Sequence, residues 1–550
     1  MGKKSQNKKI RTHQKGVEQT RPSLQDDKTG SHFKTNSLSF TINDKTAILV
    51  TLAIALISYV FSYFYTSFYQ GEEGAQYMNA LGFWKYPNSI LGNWPKTGWK
   101  IIYAPIILFG KQGALIANCL FSAFSGYFAY KTYAKLTGQK TILPFILLAT
   151  QTLWFLLSFK FFSEIPTAFI LILAIYLFYS KKYIGFAFAI SYTLLLRQEF
   201  IFIIPYFVYL LIKRKQWIAF VCIGIFPVLY NIWGWQATGD ILYSLHESQK
   251  TAALYKTMYP RQGFDHYLTM SGVIFNIVVI TLVVAYLGQL FTKQAKYVEY
   301  PLLVTAVGFI LIHSLFNLKA YPILTSTGGN LRYLLVVSPV MAVIAALSIK
   351  NMQYIKNKAW LLITLVPFMF WVHAKMTYTH NWVVMDEGDD NRDFIPALLF
   401  WVVAVLLFTI KNNDLLTKIL AALSIITVLI YIRPKELCCD ENFEQKNIAN
   451  YVSEQQLDKK PIIQNLGLFD FFLNKNSWEF PAGNTPMDGD SSLDKAPVGS
   501  IVIWDTHYAK KYGHVEFSYF QRNSSKYKII KQFKSDDNAF AAIIFEKISP

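Results

Sequence analysis

Between residues 46 and 432 the chain alternates long apolar runs with short polar connections. The first run, 47–68, has roughly the 20 residues that cross a hydrocarbon core about 30 Å thick. Twelve more follow at 114–130, 141–159, 164–180, 183–196, 200–212, 217–235, 271–291, 301–316, 332–350, 360–372, 394–410 and 419–432. The pair at 183–196 and 200–212 is short for an average bilayer, so tilt or partial insertion is expected there.

Positive charge gives these runs a direction. Lys131, Lys135 and Lys140, Lys181-Lys182, Lys213-Arg214-Lys215, Lys293 with Lys296, and Lys350 recur at alternate connections, which the positive-inside rule assigns to the cytoplasm. The expected architecture is a polytopic α-helical membrane protein of about 13 transmembrane helices with the N-terminus inside. Lys85, Lys96, Lys100 and Lys111 resist this scheme, because they fall in the first outer loop. The rule weakens in longer loops, and outward lysines have an alternative use as phosphate contacts.

Two segments flank the apolar region. Residues 1–45 are basic and almost without apolar side chains before Phe33, so they read as a disordered cytoplasmic arm. That arm is too long for the n-region of a cleaved signal peptide. After Arg433-Pro434 the composition becomes that of a soluble domain. Strands are expected at 498–504 and 539–545, a helix at 447–456 and a loop at 483–489. The domain organisation expected is therefore 1–45 arm, 46–433 transmembrane domain and 434–550 small outward-facing α/β domain.

Composition agrees with this picture and excludes others. Hydrophobic residues make up 53% and charged residues 16%. The net charge of +19 is spread in short clusters between apolar runs, which is a topology signal and not a nucleic-acid footprint. Four cysteines fit neither a disulfide framework nor zinc spacing: Cys119 and Cys222 lie in apolar runs, and Cys438-Cys439 are adjacent. No internal repeat of fixed period is present, which weakens transporter folds built from inverted repeats.

Candidate chemistry concentrates on the outer side. Glu72 and Glu73, just past the first membrane exit, could serve as a general base for an acceptor hydroxyl, or be a solvated pair ending a helix. Glu164 begins a returning helix, where a cap is the plain reading and a second carboxylate in the same cavity the functional one. Arg197-Gln198-Glu199 interrupts two apolar runs, so Arg197 either pairs with Glu199 or binds phosphate. Arg332 follows Gly328-Gly329-Asn330 at another outer entry point, as an interfacial anchor or a bidentate phosphate grip.

Placed in order, Gly71-Glu72-Glu73-Gly74-Ala75-Gln76-Tyr77, Trp94-Pro95-Lys96, Tyr103-Ala104-Pro105, Ser163-Glu164-Ile165-Pro166, Leu196-Arg197-Gln198-Glu199 and Asn330-Leu331-Arg332-Tyr333-Leu334 resemble the GT-C class of polytopic glycosyltransferases. That class includes protein O-mannosyltransferases and the bacterial aminoarabinose transferase of lipid A. The resemblance covers most of residues 46–432. It implies a polyprenyl-phosphate sugar donor, transfer to an acceptor hydroxyl on the outer face with inversion, and a location in the bacterial cytoplasmic membrane. The class usually has an Asp where Glu72 stands, which leaves the base as Glu72 or Glu73. Lys96, Arg197 and Arg332 would then offset charge on the leaving phosphate, and Glu164 would orient the acceptor or, in the alternative, a divalent metal, although no His-rich ligand set demands one. The acceptor is a lipid, glycan or protein. A flippase or transporter of lipid-linked saccharides and a membrane protein acting through its C-terminal domain are the competing readings.

Overall fold

The computed structural model describes residues 40–64, 71–93, 96–319, 325–375, 398–431, 441–476, 479, 484–536 and 538–550. The basic arm before residue 40, Trp94-Pro95, the acidic stretch at 386–390, Arg433-Pro434 and Cys438-Cys439 lie outside these residues. The protein is a helical, polytopic membrane protein. Among the described residues, five helices are long and apolar enough to cross a bilayer: Asp44–Phe61, Gly110–Thr137, Trp217–Thr238, Leu331–Asn351 and Asn413–Ile430. Shorter apolar helices include Glu164–Tyr179, Tyr183–Leu196, Ile277–Gln289 and Tyr300–Phe316.

The Leu331–Asn351 helix is the axis of the bundle. It is buried almost throughout, packs against Ile277–Gln289 and Leu143–Ala149, and begins as a 3-10 turn at Leu331–Val337. An all-apolar surface suits a helix surrounded by other helices, whereas Trp217–Thr238 keeps most of its surface exposed, as expected for contact with lipid.

Two expected spans are broken in the structure. The run 141–159 divides into Leu143–Ala149 and Thr152–Leu157, and the run 271–291 divides into Ser271–Phe275 and Ile277–Gln289. Asn276 sits at the second break with φ +69°, and its side chain caps Val278 N–H at 2.9 Å. Its amide donates to Thr150 O at 2.7 Å and Ser424 O at 3.1 Å, while Gln151 donates to Ser338 O at 3.0 Å. Non-helical backbone at this depth is stable only when its polar groups find protein partners. Asn276 at the second break satisfies the Thr150 carbonyl at the first, a pairing that hydropathy along a single run does not carry.

Residues after 440 form a five-stranded mixed sheet with helices. Strands β1 (Ile462–Ile463), β2 (Asn484–Thr485), β3 (Ile501–Asp505), β4 (Tyr527–Lys534) and β5 (Ala541–Lys547) take the order β2-β1-β3-β5-β4. Strand β1 runs parallel to β2 and β3, and β5 is antiparallel to β3 and β4. The helix expected at 447–456 spans Glu441–Glu454, and the loop expected at 483–489 contains β2. Strand β4 was not anticipated, because its outward face is lysine-rich and it lies at the sheet edge, where such charge discourages further pairing.

Candidate functional site

The helix Gly71–Gly82 presents Glu72 and Glu73 in its first turn, where the helix dipole favours negative charge. The two side chains part. Glu73 is fully buried, and its Oε1 accepts the Phe161 N–H at 2.7 Å. Asn118 holds the same segment from the other side, donating to Leu157 O at 3.2 Å and Ser158 O at 3.3 Å and accepting from the Tyr103 hydroxyl at 2.8 Å. Carbonyls left over where Thr152–Leu157 ends are thereby satisfied. The irregular stretch that follows delivers Phe162 and Glu164 to the site.

Arg197 leaves the end of Tyr183–Leu196 in extended backbone, and Arg332 enters from the Gly328-Gly329 turn. Both glycines have positive φ, +66° and +76°, and a Cβ on Gly329 would stand 2.3 Å from Gln262 Cγ. Asn330 caps the new helix by accepting Arg332 N–H at 3.2 Å. Lys96 takes a left-handed conformation, φ +52°, ahead of Thr97–Ile107.

These elements bring together five of the six candidate residues. The Arg332 guanidinium donates to Glu72 Oε2, and its Nε lies 3.4 Å from Glu164 Oε1. Arg197 donates to Glu164 Oε1 and reaches Glu199 Oε1 at 3.4 Å. Lys96 Nζ is 3.6 Å from Glu72 Oε1. Behind the cations lie aromatic rings, with Arg332 Cζ 4.2 Å from the Phe162 centroid and Arg197 Cζ 4.3 Å from that of Tyr333.

Exposure divides the cluster into a base and a mouth. Glu164 is fully buried and the two arginine side chains are 4% exposed, whereas Glu72 is 26% and Lys96 16% exposed. Burial would raise the Glu72 carboxyl, yet Arg332 and Lys96 hold it down at about 2. Burial likewise lowers the Lys96 ammonium, with Glu72 and Glu164 opposing it.

The pairing expected between Arg197 and Glu199 is present, but Glu164 is the closer partner of Arg197. Glu164 is enclosed by two guanidinium groups, and a cationic surrounding does not fit a divalent metal. Among the described residues no group of three His, Cys, Asp or Glu side chains is arranged to hold one. Glu73 is the candidate that the fold turns away from the cluster. His313 joins the site unannounced: it is fully buried on Tyr300–Phe316, with Nε2 3.9 Å from Glu199 Oε1. One His in an apolar run carries no local signal of such a neighbour.

No protein-family model and no curated protein sequence matches the chain. Solved structures do. The crystal structure of ArnT from Cupriavidus metallidurans bound to undecaprenyl phosphate superposes with a TM-score of 0.57 at 9% identity, covering 92% of this chain and 100% of that one. The apo crystal structure of the same protein gives a TM-score of 0.54 at 10% identity, covering 92% and 99%. The chain has the ArnT fold. The coverage extends well beyond the apolar helices, so the ArnT-like architecture includes residues on both sides of the 432–440 junction.

Proposed function

We propose that the protein is an integral-membrane glycosyltransferase that moves a sugar from a polyprenyl-phosphate donor to an acceptor hydroxyl. The observation that carries this reading is the partly exposed Glu72 carboxylate held between Arg332 and Lys96, backed by the buried Arg197–Glu164 pair. The ArnT structure with undecaprenyl phosphate makes a lipid phosphate the natural ligand for those cations.

In the proposed reaction the donor phosphate approaches Arg332 and Lys96 and competes with Glu72 for them. Glu72, relieved of part of its ion pairing, becomes a stronger base than it is in the free site. It takes the acceptor proton as the acceptor oxygen bonds to the anomeric carbon. The bond from that carbon to the phosphate oxygen breaks with inversion, and polyprenyl phosphate leaves with the electron pair. Arg332 and Lys96 stabilise the charge that grows on the leaving group. Arg197 is assigned to the same phosphate site from behind, with Glu164 holding both guanidiniums in register. Glu73 is assigned a positioning role through the Phe161 N–H.

The topology that accompanies this reading has about 13 crossings, a cytoplasmic arm and a bacterial cytoplasmic-membrane location. Its domains run 46–433 and 434–550, and the C-terminal domain lies on the side of Glu72.

Purified protein in vesicles, supplied with polyprenyl-phosphate sugars and a crude envelope acceptor fraction, tests the proposal by mass spectrometry. Release of polyprenyl phosphate with a matching mass gain on an acceptor is expected. Movement of intact donor between leaflets, with no bond cleavage, would replace the reading with the flippase one.

A further inference from the structure

A cavity lies just beyond the C-terminal end of Leu331–Asn351. It has a volume of about 530 Å³ and is lined by residues of the 352–362 turn and of the 408–413 connection. Arg332 stands near the start of the 21-residue Leu331–Asn351 helix and the cavity lining begins at Met352, just beyond its end, so the two lie about 30 Å apart at 1.5 Å per residue. It is therefore independent of the carboxylate site.

Three lysines, Lys356, Lys358 and Lys411, line it, and every other lining residue is uncharged. Lys358 is committed: its ammonium donates to Leu407 O, and to Ile410 O at 3.4 Å, closing the end of the Leu399–Thr409 helix. Lys356 and Lys411 are exposed, and among the described residues their ammonium groups have no ion-pair partner. Like charges around one cavity repel unless an anion joins them. Burial and the neighbouring Lys411 both lower the Lys358 ammonium from its ordinary value.

The apolar part of the lining gives the anion its class. Ile355, Leu362 and Phe408 face the cavity, and Leu362 continues outward into exposed Ile363 and Trp360. A free anion has no use for such a strip, whereas acyl chains do, and tryptophan is common where chains meet headgroups. We propose that this cavity binds the phosphate headgroup of an anionic phospholipid, with Lys356 and Lys411 on the phosphate and the Leu362 side receiving an acyl chain. Basic pockets between membrane helices take headgroups of this kind.

The test uses the full chain in nanodiscs containing phosphatidylglycerol and phosphatidylcholine, with native mass spectrometry of the lipid retained after detergent washing. Wild type is expected to keep phosphatidylglycerol about tenfold over phosphatidylcholine, the scale of one to two lysine contacts. Lys356→Gln with Lys411→Gln should lose that preference, and both sites are exposed, so folding is not at stake. Lys181→Gln with Lys182→Gln, both exposed and outside the cavity lining, should keep it. Equal losses in the two variants, or no preference in wild type, overturn the site. A parallel arm adds inorganic phosphate and follows thermal unfolding. Stabilisation that depends on Lys356 and Lys411, without retained phosphatidylglycerol, assigns the cavity to a soluble phosphate and overturns the lipid source.

Discussion

The Arg332 guanidinium donates to Glu72 across 260 residues of sequence, joining the Gly71–Gly82 helix to the start of Leu331–Asn351. Glu72 is thus both the accessible carboxylate of the site and the counter-ion of a cation that a phosphate would claim. Under the proposed function the pairing would be a resting state, in which a phosphate that takes Arg332 frees Glu72 to act as the base.

Glu72→Gln should therefore lower kcat by about 10²- to 10⁴-fold, the usual worth of a general base, while KM for the lipid donor stays the same or falls. Steady-state kinetics in vesicles checks this. Glu73→Gln should instead act through Phe161, with reduced thermal stability accompanying any loss of rate. Equal kcat losses in both variants at unchanged stability would reassign the base.

The pH behaviour follows from the direction of the Glu72 shift. A carboxyl held at about 2 against an ordinary 4.5 gives stability that is fully present above pH 4.5 and fades as pH falls through about 2. An infrared carboxyl band that disappears in Glu72→Gln should stay ionised at pH 3.5 in the free protein. On adding polyprenyl phosphate the same band should titrate higher, because Arg332 and Lys96 are then shared.

Much of this was legible in the chain, and the reason is physical. A charge interrupting apolar runs is costly, which singled out Arg197; Glu72, Glu164 and Arg332 each also had a plain reading, as a solvated pair, a helix cap and an interfacial anchor, and the structure brings the four together. What was hidden is pairing across the fold. Nothing local distinguishes Glu72 from Glu73; the difference comes from Arg332 and Phe161, both remote in sequence. The breaks at Thr150 and Asn276 were hidden likewise, since the Thr150 carbonyl is satisfied by Asn276, remote in sequence, and His313 is silent until Glu199 is placed beside it.

Gly74 reports how the sheet-bearing segment meets the Gly71–Gly82 helix. A Cβ there would lie 2.4 Å from Leu468 Cδ2 and 3.1 Å from Phe471 Cβ, and Gly467 Cα packs against Gly71. Lys111 adds a hydrogen bond to Phe471 O at 3.1 Å. Gly74→Ala should destabilise by about 1–3 kcal/mol through overpacking and shift the turn that bears Glu72. Leu468→Ala removes the clashing methyl, so the double variant should be less destabilised than the sum of the two. Thermal unfolding of all four proteins in a double-mutant cycle measures that coupling, and simple additivity would show that the two segments do not share the contact.

The strongest structural demand falls on Glu164. It is wholly buried and answers to both Arg197 and Arg332, so Glu164→Gln leaves two guanidiniums, each 4% exposed, without their shared carboxylate. Arg332 keeps Glu72 and Arg197 keeps Glu199 at 3.4 Å, so the expected loss falls below the about 3–5 kcal/mol of a buried charge left wholly unpaired. Arg197→Gln in the same protein removes the more weakly held of the two charges, whose other carboxylate, Glu199, is 3.4 Å away, and it should recover part of the lost stability without recovering activity. A catalytic carboxylate gives the opposite pattern, with activity lost at unchanged stability. Unfolding temperature and donor turnover measured on the single and double variants therefore separate a residue that holds the arginines from one that handles the substrate.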